Sequence, residues 1–151
     1  MSLNWPKNGP NNVPSYLISG LPFVTSSVTN ELNGTTGNVA KISFPFVTSA
    51  IAVTTFGSTG GTIRLGFTEN GVKGTETHSY ITLPVVNNVP TTSPQFKLRC
   101  KEIYLRADGS STAGFSVYAE LTDIDTSLLP ILTGSVTPAG ASGQLKWEGV
   151  G

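Results

Sequence analysis

The stretch NVAKISFPFVTSAIAVTTF, residues 38–56, decides the fold class. From Asn38 to Phe44, Ala40, Ile42 and Phe44 fall on one side and Val39, Lys41 and Ser43 on the other, the period of a strand with one face in a core. Pro45 breaks that ladder because it has no N–H to donate. Beyond it Val47, Ile51, Val53 and Thr55 share one parity, so the chain is expected to bend or bulge here and pass from one sheet to another. The density of β-branched residues opposes a helix.

The same pattern extends in both directions. Upstream, Tyr16-Leu17-Ile18 and Val24–Leu32 read as strands, with a tight turn at Asn33-Gly34 and a loop over Thr35–Gly37. Downstream, Gly57–Gly61 reads as the turn of a hairpin into Thr62–Thr68, with Ile63, Leu65 and Phe67 inward and Arg64, Gly66 and Thr68 outward. Glu69-Asn70-Gly71 is a turn signal, and His78–Leu83 is the next strand, with Ser79, Ile81 and Leu83 set against Tyr80 and Thr82. Pro84–Pro94 reads as a loop between sheets. Two strong strands follow, Phe96–Ala107 with a bulge near Cys100-Lys101, and Gly114–Leu121 with Phe115, Val117, Ala119 and Leu121 inward. The polar segment Asp108–Ala113 is expected to join them as a hairpin. Leu128–Leu132 offers an edge strand and Gly134–Gly143 coil.

Roughly eight or nine short strands, with no segment of period 3.6, predict an all-β chain. The expected architecture is an antiparallel β-sandwich, jelly-roll or Greek-key like, with a small closed barrel as its rival. Pro6, Pro10 and Pro14 make residues 1–14 an extended N-terminal arm, leaving residues 15–151 as a single β-sandwich domain.

Composition narrows the functional classes. Cys100 is the only cysteine, so no intrachain disulfide is available, and its apolar surroundings predict burial as a small hydrophobe. Nine basic residues balance nine acidic ones, and charged residues make up 12% of the chain against about a quarter in ordinary soluble domains. Copies of such a protein repel one another little, and its surface is cheap to desolvate. The start of the chain turns polar within four residues and meets Pro6, so no secretion signal is expected there. No apolar stretch approaches the roughly 18 residues of a membrane span, and neither a membrane nor a nucleic acid is expected as partner.

Chemistry finds few candidates. His78 is the only histidine, and no Gly-x-Ser-x-Gly elbow is present to supply a nucleophile. Glu102 and Glu120 would face each other if their strands paired, which is the nearest approach to a carboxylate dyad. Gly57–Gly61 lacks the Gly-Lys-Ser/Thr ending of a phosphate loop. Asp123 and Asp125 are too few for a calcium site, and Lys97, Arg99 and Lys101 form a basic stripe diluted by Glu102. No catalytic, metal or cofactor-binding residue is assigned, and no cofactor or enzymatic activity is expected.

What remains is binding. Leu21-Pro22-Phe23-Val24-Thr25-Ser26 returns 23 residues later as Phe44-Pro45-Phe46-Val47-Thr48-Ser49, read as two entries of Phe-Val-Thr into equivalent core positions, as half-domain strands related by pseudo-symmetry, as an edge offered to a neighbour, or as chance similarity in a low-diversity β sequence. The interface candidates are Trp5 and Val13 in the arm, Phe23 and Phe46 in the echo, the outward tyrosines Tyr80, Tyr104 and Tyr118, and Trp147 near the end. Tyr104 and Tyr118 would be cross-strand neighbours across the Asp108–Ala113 turn.

In the style of Val13-Pro14-Ser15-Tyr16, of the Thr/Ser/Gly-rich run Phe46–Gly57, and of Lys101-Glu102-Ile103-Tyr104-Leu105 before a polar loop, the chain resembles small all-β structural proteins of tailed bacteriophages. These are capsid decoration (cement) proteins and the β-sandwich domains of fibres. The resemblance implies a virion protein, assembled in the host cytoplasm and bound in many copies to the major capsid protein or another virion protein. It also implies a homo-oligomer, a trimer in preference to a dimer, with no cofactor. A carbohydrate- or receptor-binding module of a fibre or tail is the alternative, with the outward tyrosines stacking on sugars.

Overall fold

The computed structural model describes residues 21–27, 31–74, 78–109 and 111–129. Among these residues, nine strands and one short α-helix follow in chain order: β1 Leu21–Ser26, β2 Leu32–Asn33, β3 Val39–Ser43, β4 Phe46–Phe56, β5 Gly61–Gly66, α1 Glu69–Lys73, β6 Tyr80–Val85, β7 Thr91–Thr92, β8 Glu102–Ala107 and β9 Thr112–Asp125. They make two antiparallel sheets. Sheet I has the order β1-β9-β4-β7, with β2 also on β9, and sheet II the order β3-β8-β5-β6. Setting aside the two-residue β2, the first strand pairs with the last and the rest nest inside: β1 with β9, β3 with β8, β4 with β7, β5 with β6. The expected all-β antiparallel sandwich is what the chain forms.

The core lies between the sheets. Ile51, Val53, Val117 and Ala119 of sheet I and Ile63, Leu65, Ile103 and Leu105 of sheet II are all 0% exposed. Each sits on the inward parity of its strand, the parity already visible in the sequence. Pro45 does what its position predicts: β3 ends in sheet II, β4 begins in sheet I, and the β4–β9 register shifts on both sides of Thr48. Phe23 meets Phe44 edge to face across this crossing, ring centroids 5.3 Å apart.

Several expectations need correction, most for one reason. Alternation identifies the buried face of a strand but not its neighbour, and two strands facing each other across a core alternate like two strands side by side. Gly57–Gly61 and Asp108–Ala113 are therefore not hairpin turns; both carry the chain between sheets. The strand expected over Phe96–Ala107 is interrupted: Phe96 bridges to Ile51 in sheet I, residues 97–101 cross over, and β8 begins at Glu102 in sheet II. What looked like a bulge at Cys100-Lys101 is this crossing. β1 starts at Leu21 and stops at Ser26, and β6 runs on through Pro84 to Val85. Both prolines lie in edge strands, where a missing N–H is tolerated.

Glu69-Asn70-Gly71 is not a bare turn but the start of α1. Thr68, expected to point outward, is buried and caps the helix by accepting the Gly71 N–H, and Gly74 closes it in the left-handed region at φ 66°. Leu128 and Leu129 end a 3₁₀ turn rather than begin a strand. Asp125 caps that turn by accepting the Ser127 N–H at 2.7 Å, which holds its carboxyl below the usual range and accounts for it without a metal. The N-terminal arm, the strand expected at Tyr16–Ile18 and most of the tail lie outside the described residues.

Candidate functional site: the two outer faces

The sandwich has two outer faces, and they are built differently. On sheet II the outward residues include Lys41 of β3, Glu102, Tyr104 and Arg106 of β8, Arg64 and Gly66 of β5, and Tyr80 of β6, and Ser43, Thr82 and Pro84 on the same face are exposed. Lys41 pairs with Glu102 at 2.8 Å and lies over the Tyr104 ring, whose hydroxyl donates to Glu102 at 3.1 Å. The Glu102 hydrogen bond raises the Lys41 pKa, and partial burial raises that of Tyr104. The charges of Lys41 and Glu102 are thus paired within the face.

α1 lies on part of sheet II, packing against β5, β8 and β3. Val72, 0% exposed, sits on Gly66, where a Cβ would lie 2.6 Å from Val72 Cγ1. Only glycine admits the helix so near the sheet. The carbonyls at the helix C-terminus are clasped by two arginines: Arg106 Nη1 donates to Lys73 O at 2.7 Å, and Arg64 Nη1 to Val72 O and Lys73 O at 3.3 Å each. Cations suit the negative end of a helix. Arg64 also pairs with Asp108 at 2.7 Å and stacks on Tyr80, 4.5 Å from the ring centroid, so Tyr80 is occupied inside the protein.

Sheet I presents the opposite surface. Rows read across β1, β9 and β4 place Pro22, Glu120 and Ala50 together, then Val24, Tyr118 and Ala52, then Ser26, Ser116 and Thr54, with Thr92 of β7 extending the third row. The third row is hydroxyls joined in pairs, Ser26 Oγ to Ser116 Oγ at 2.8 Å and Thr54 Oγ1 to Thr92 Oγ1 at 2.9 Å. Past it, the Phe56 ring lies over Gly114, where a Cβ would come within 2.3 Å of Phe56 Cε2. Glu120, bonded to Gln95 at 2.9 Å, is the only charged side chain in these rows. No helix covers them among the described residues. Val24 is 69% and Tyr118 41% exposed, side by side at the centre.

The sequence-derived candidates fall unevenly on this surface. Tyr118 is at its centre. Tyr104 and Tyr118 are not neighbours, because β8 and β9 belong to different sheets and the two rings are on opposite outer faces; Glu102 and Glu120 are parted in the same way. Phe23 and Phe46 are half-buried against the core. Trp5, Val13 and Trp147 lie outside the described residues. The echo does not enter equivalent positions: its copies flank β9, but Val24 faces out while Val47 is 1% exposed. Val24 is the residue that sequence reasoning missed, hidden by its match to the buried Val47.

Chemical groups are sparse elsewhere. Cys100 is buried, its thiol pushed up to about 11 by desolvation. No group of three or more His, Cys, Asp or Glu is placed to hold a metal, and no helix is long and apolar enough to cross a membrane, among the described residues. No family model, curated protein or solved structure matches this chain. The reading therefore rests on the faces themselves.

Proposed function

We propose that this is a non-enzymatic structural protein of a virion, most simply a capsid decoration protein, that docks on the major capsid protein or another virion protein through the outer face of sheet I. The observation that carries the docking reading is the asymmetry of the sandwich. Among the described residues, one face carries α1 and the paired charges Lys41–Glu102 and Arg64–Asp108, while the rows of the other carry a single charged side chain and no helix, with the exposed Val24 and Tyr118 side by side at the centre. Covering such a face costs little desolvation, and tyrosine is favoured in interfaces. The nested strand pairing supports reading the sandwich as a jelly roll, an architecture shared by capsid and lectin domains. That link is fold-level analogy, and the virion assignment adds the resemblance in sequence style.

The row of hydroxyls beside Tyr118 favours a second reading, a carbohydrate-binding face on a fibre or tail. One variant tests both. Tyr118→Asp alters an exposed side chain, so folding is expected to persist while occupancy on purified particles falls at least tenfold. Unchanged occupancy would refute docking through sheet I. A glycan array bound by the wild type and not by Tyr118→Asp, with no binding to particles, would replace decoration by sugar recognition.

A further inference from the structure

The open face of sheet I ends at β1, whose hydrogen-bonding pattern can be read residue by residue. The Ser27 N–H donates to the Phe115 carbonyl of β9 at 2.8 Å. In an antiparallel ladder alternate residues point their backbone groups to the same side. The register runs Leu21↔Leu121 to Ser26↔Ser116, so Leu21, Phe23 and Thr25 address β9, and Pro22, Val24 and Ser26 turn their backbone groups to the outer edge. Pro22 occupies one of the positions whose N–H would have no partner in the sheet, which is why a proline sits inside this strand.

Sheet edges are ordinarily protected by charge, shortness or a covering element. β7 is two residues long, β3 carries the exposed Lys41, and β6 carries the exposed Pro84. β1 has Pro22 at one outward position, but its six residues carry no charge, its outward N–H groups at Val24 and Ser26 remain, and Leu21 and Val24 are 49% and 69% exposed. Among the described residues β9 is its only strand partner.

We infer that this edge pairs with the same edge of a second copy, β1 antiparallel to β1 about a two-fold axis, joining the two copies of sheet I into one continuous sheet. Such a pairing is isologous and closes at two copies. With the axis at Val24, each Val24 N–H meets the other copy's Val24 carbonyl and each Ser26 N–H meets a Pro22 carbonyl. With the axis at Thr25, Val24 and Ser26 exchange their bonds. Both registers make four hydrogen bonds without Pro22 as a donor; with the axis at Val24 the Ser26 carbonyl opposite Pro22 stays with water. A second copy is the occupant that the charge pattern suits: the chain carries nine charges of each sign, and the edge and its flanking rows bring no like charges together. With the axis at Val24, that residue meets its own counterpart and extends the Val24–Tyr118–Ala52 row across the junction. The pairing does not depend on what the sheet I face binds, and it departs from the trimer that the sequence resemblance implies.

Light scattering of the full chain is expected to give a two-chain mass that returns to one chain on dilution. Val24→Lys, which places a charge on the edge, and Val24→Pro, which removes the outward N–H and takes no hydrogen bond from the β1–β9 ladder, are each expected to raise the dissociation constant at least tenfold. Ile81→Lys on β6 is expected to leave it unchanged. Amide exchange gives a readout independent of variant folding: Val24 and Ser26 are expected to slow at least tenfold as wild-type concentration rises, while Thr25, already bonded to β9, stays constant. A single-chain mass at millimolar concentration would overturn the inference. So would a three-chain mass, a two-chain mass indifferent to both Val24 variants, or protection of Val24 and Ser26 that appears only when another virion protein is added.

Discussion

Replacing Thr48 by valine removes a hydroxyl while keeping the shape of the side chain, and the consequence can be worked from the bonds it makes. Thr48 is 0% exposed, in the bulged part of β4. Its N–H donates to the Cys100 carbonyl at 3.0 Å; its hydroxyl accepts the Cys100 N–H at 3.0 Å and donates to the Leu98 carbonyl at 3.0 Å. These bonds hold residues 97–101, which form no ladder, against the sheet they are leaving. In Thr48→Val the Cys100 N–H is left buried without an acceptor, at a cost of about 1–3 kcal/mol, and the Leu98 carbonyl loses a donor. The added methyl returns about 0.8 kcal/mol. A net loss of about 2 kcal/mol is expected from urea unfolding with an unchanged m-value, lowering the melting temperature by about 4–8 °C at this chain length. Thr48→Ser keeps the hydroxyl and loses one methyl, for an expected cost of about 1 kcal/mol. A valine variant within about 0.5 kcal/mol of wild type, or a serine variant less stable than valine, would refute the claim that the hydroxyl pins the crossing.

Other expectations follow from the same contacts. Gly66→Ala drives a Cβ into Val72 and is expected to cost about 1–3 kcal/mol; adding Val72→Ala should recover part of that loss, and strict additivity in the double-mutant cycle would show that the two do not touch. Val72→Ala alone is expected to cost about 2 kcal/mol and to speed amide exchange in α1 ahead of the sheets. The folded state keeps the Cys100 proton to about pH 11 and the unfolded chain loses it near 9, so stability falls as pH rises through that window. Cys100→Ala is expected to flatten the slope there by up to about 1.4 kcal/mol per pH unit, and an unaltered slope would contradict burial of the thiol.

What the sequence disclosed was the face of each strand. Ile42, Phe44, Val53, Leu65, Val117 and Ala119 are inside because their spacing demands it, and Pro45 marks a change of sheet because it ends one parity and begins another. Which strand lies beside which was not legible. Ladder partners come from distant parts of the chain, 90 residues apart for Ser26 and Ser116, and alternation carries no address. Tyr104 and Tyr118 were joined on that missing information. The helix was legible in principle: Thr68 as a cap, Glu69 and Lys73 four apart and ion-paired, and Gly74 as the closing residue form a start and stop signal. Five residues are too few to show a period, and that hid it. The rows around Tyr118 could not be seen beforehand, because they are drawn from β1, β9 and β4, whose adjacency alternation does not encode.

The central claim, that sheet I faces a partner and sheet II faces away, is tested most directly by imaging the protein in its native assembly at a resolution that separates the two faces. The expected image has density from a neighbouring protein over Val24, Tyr118, Ser116 and Thr54, with α1 exposed to solvent. A neighbour seated on α1, with the rows around Tyr118 bare, would contradict the account.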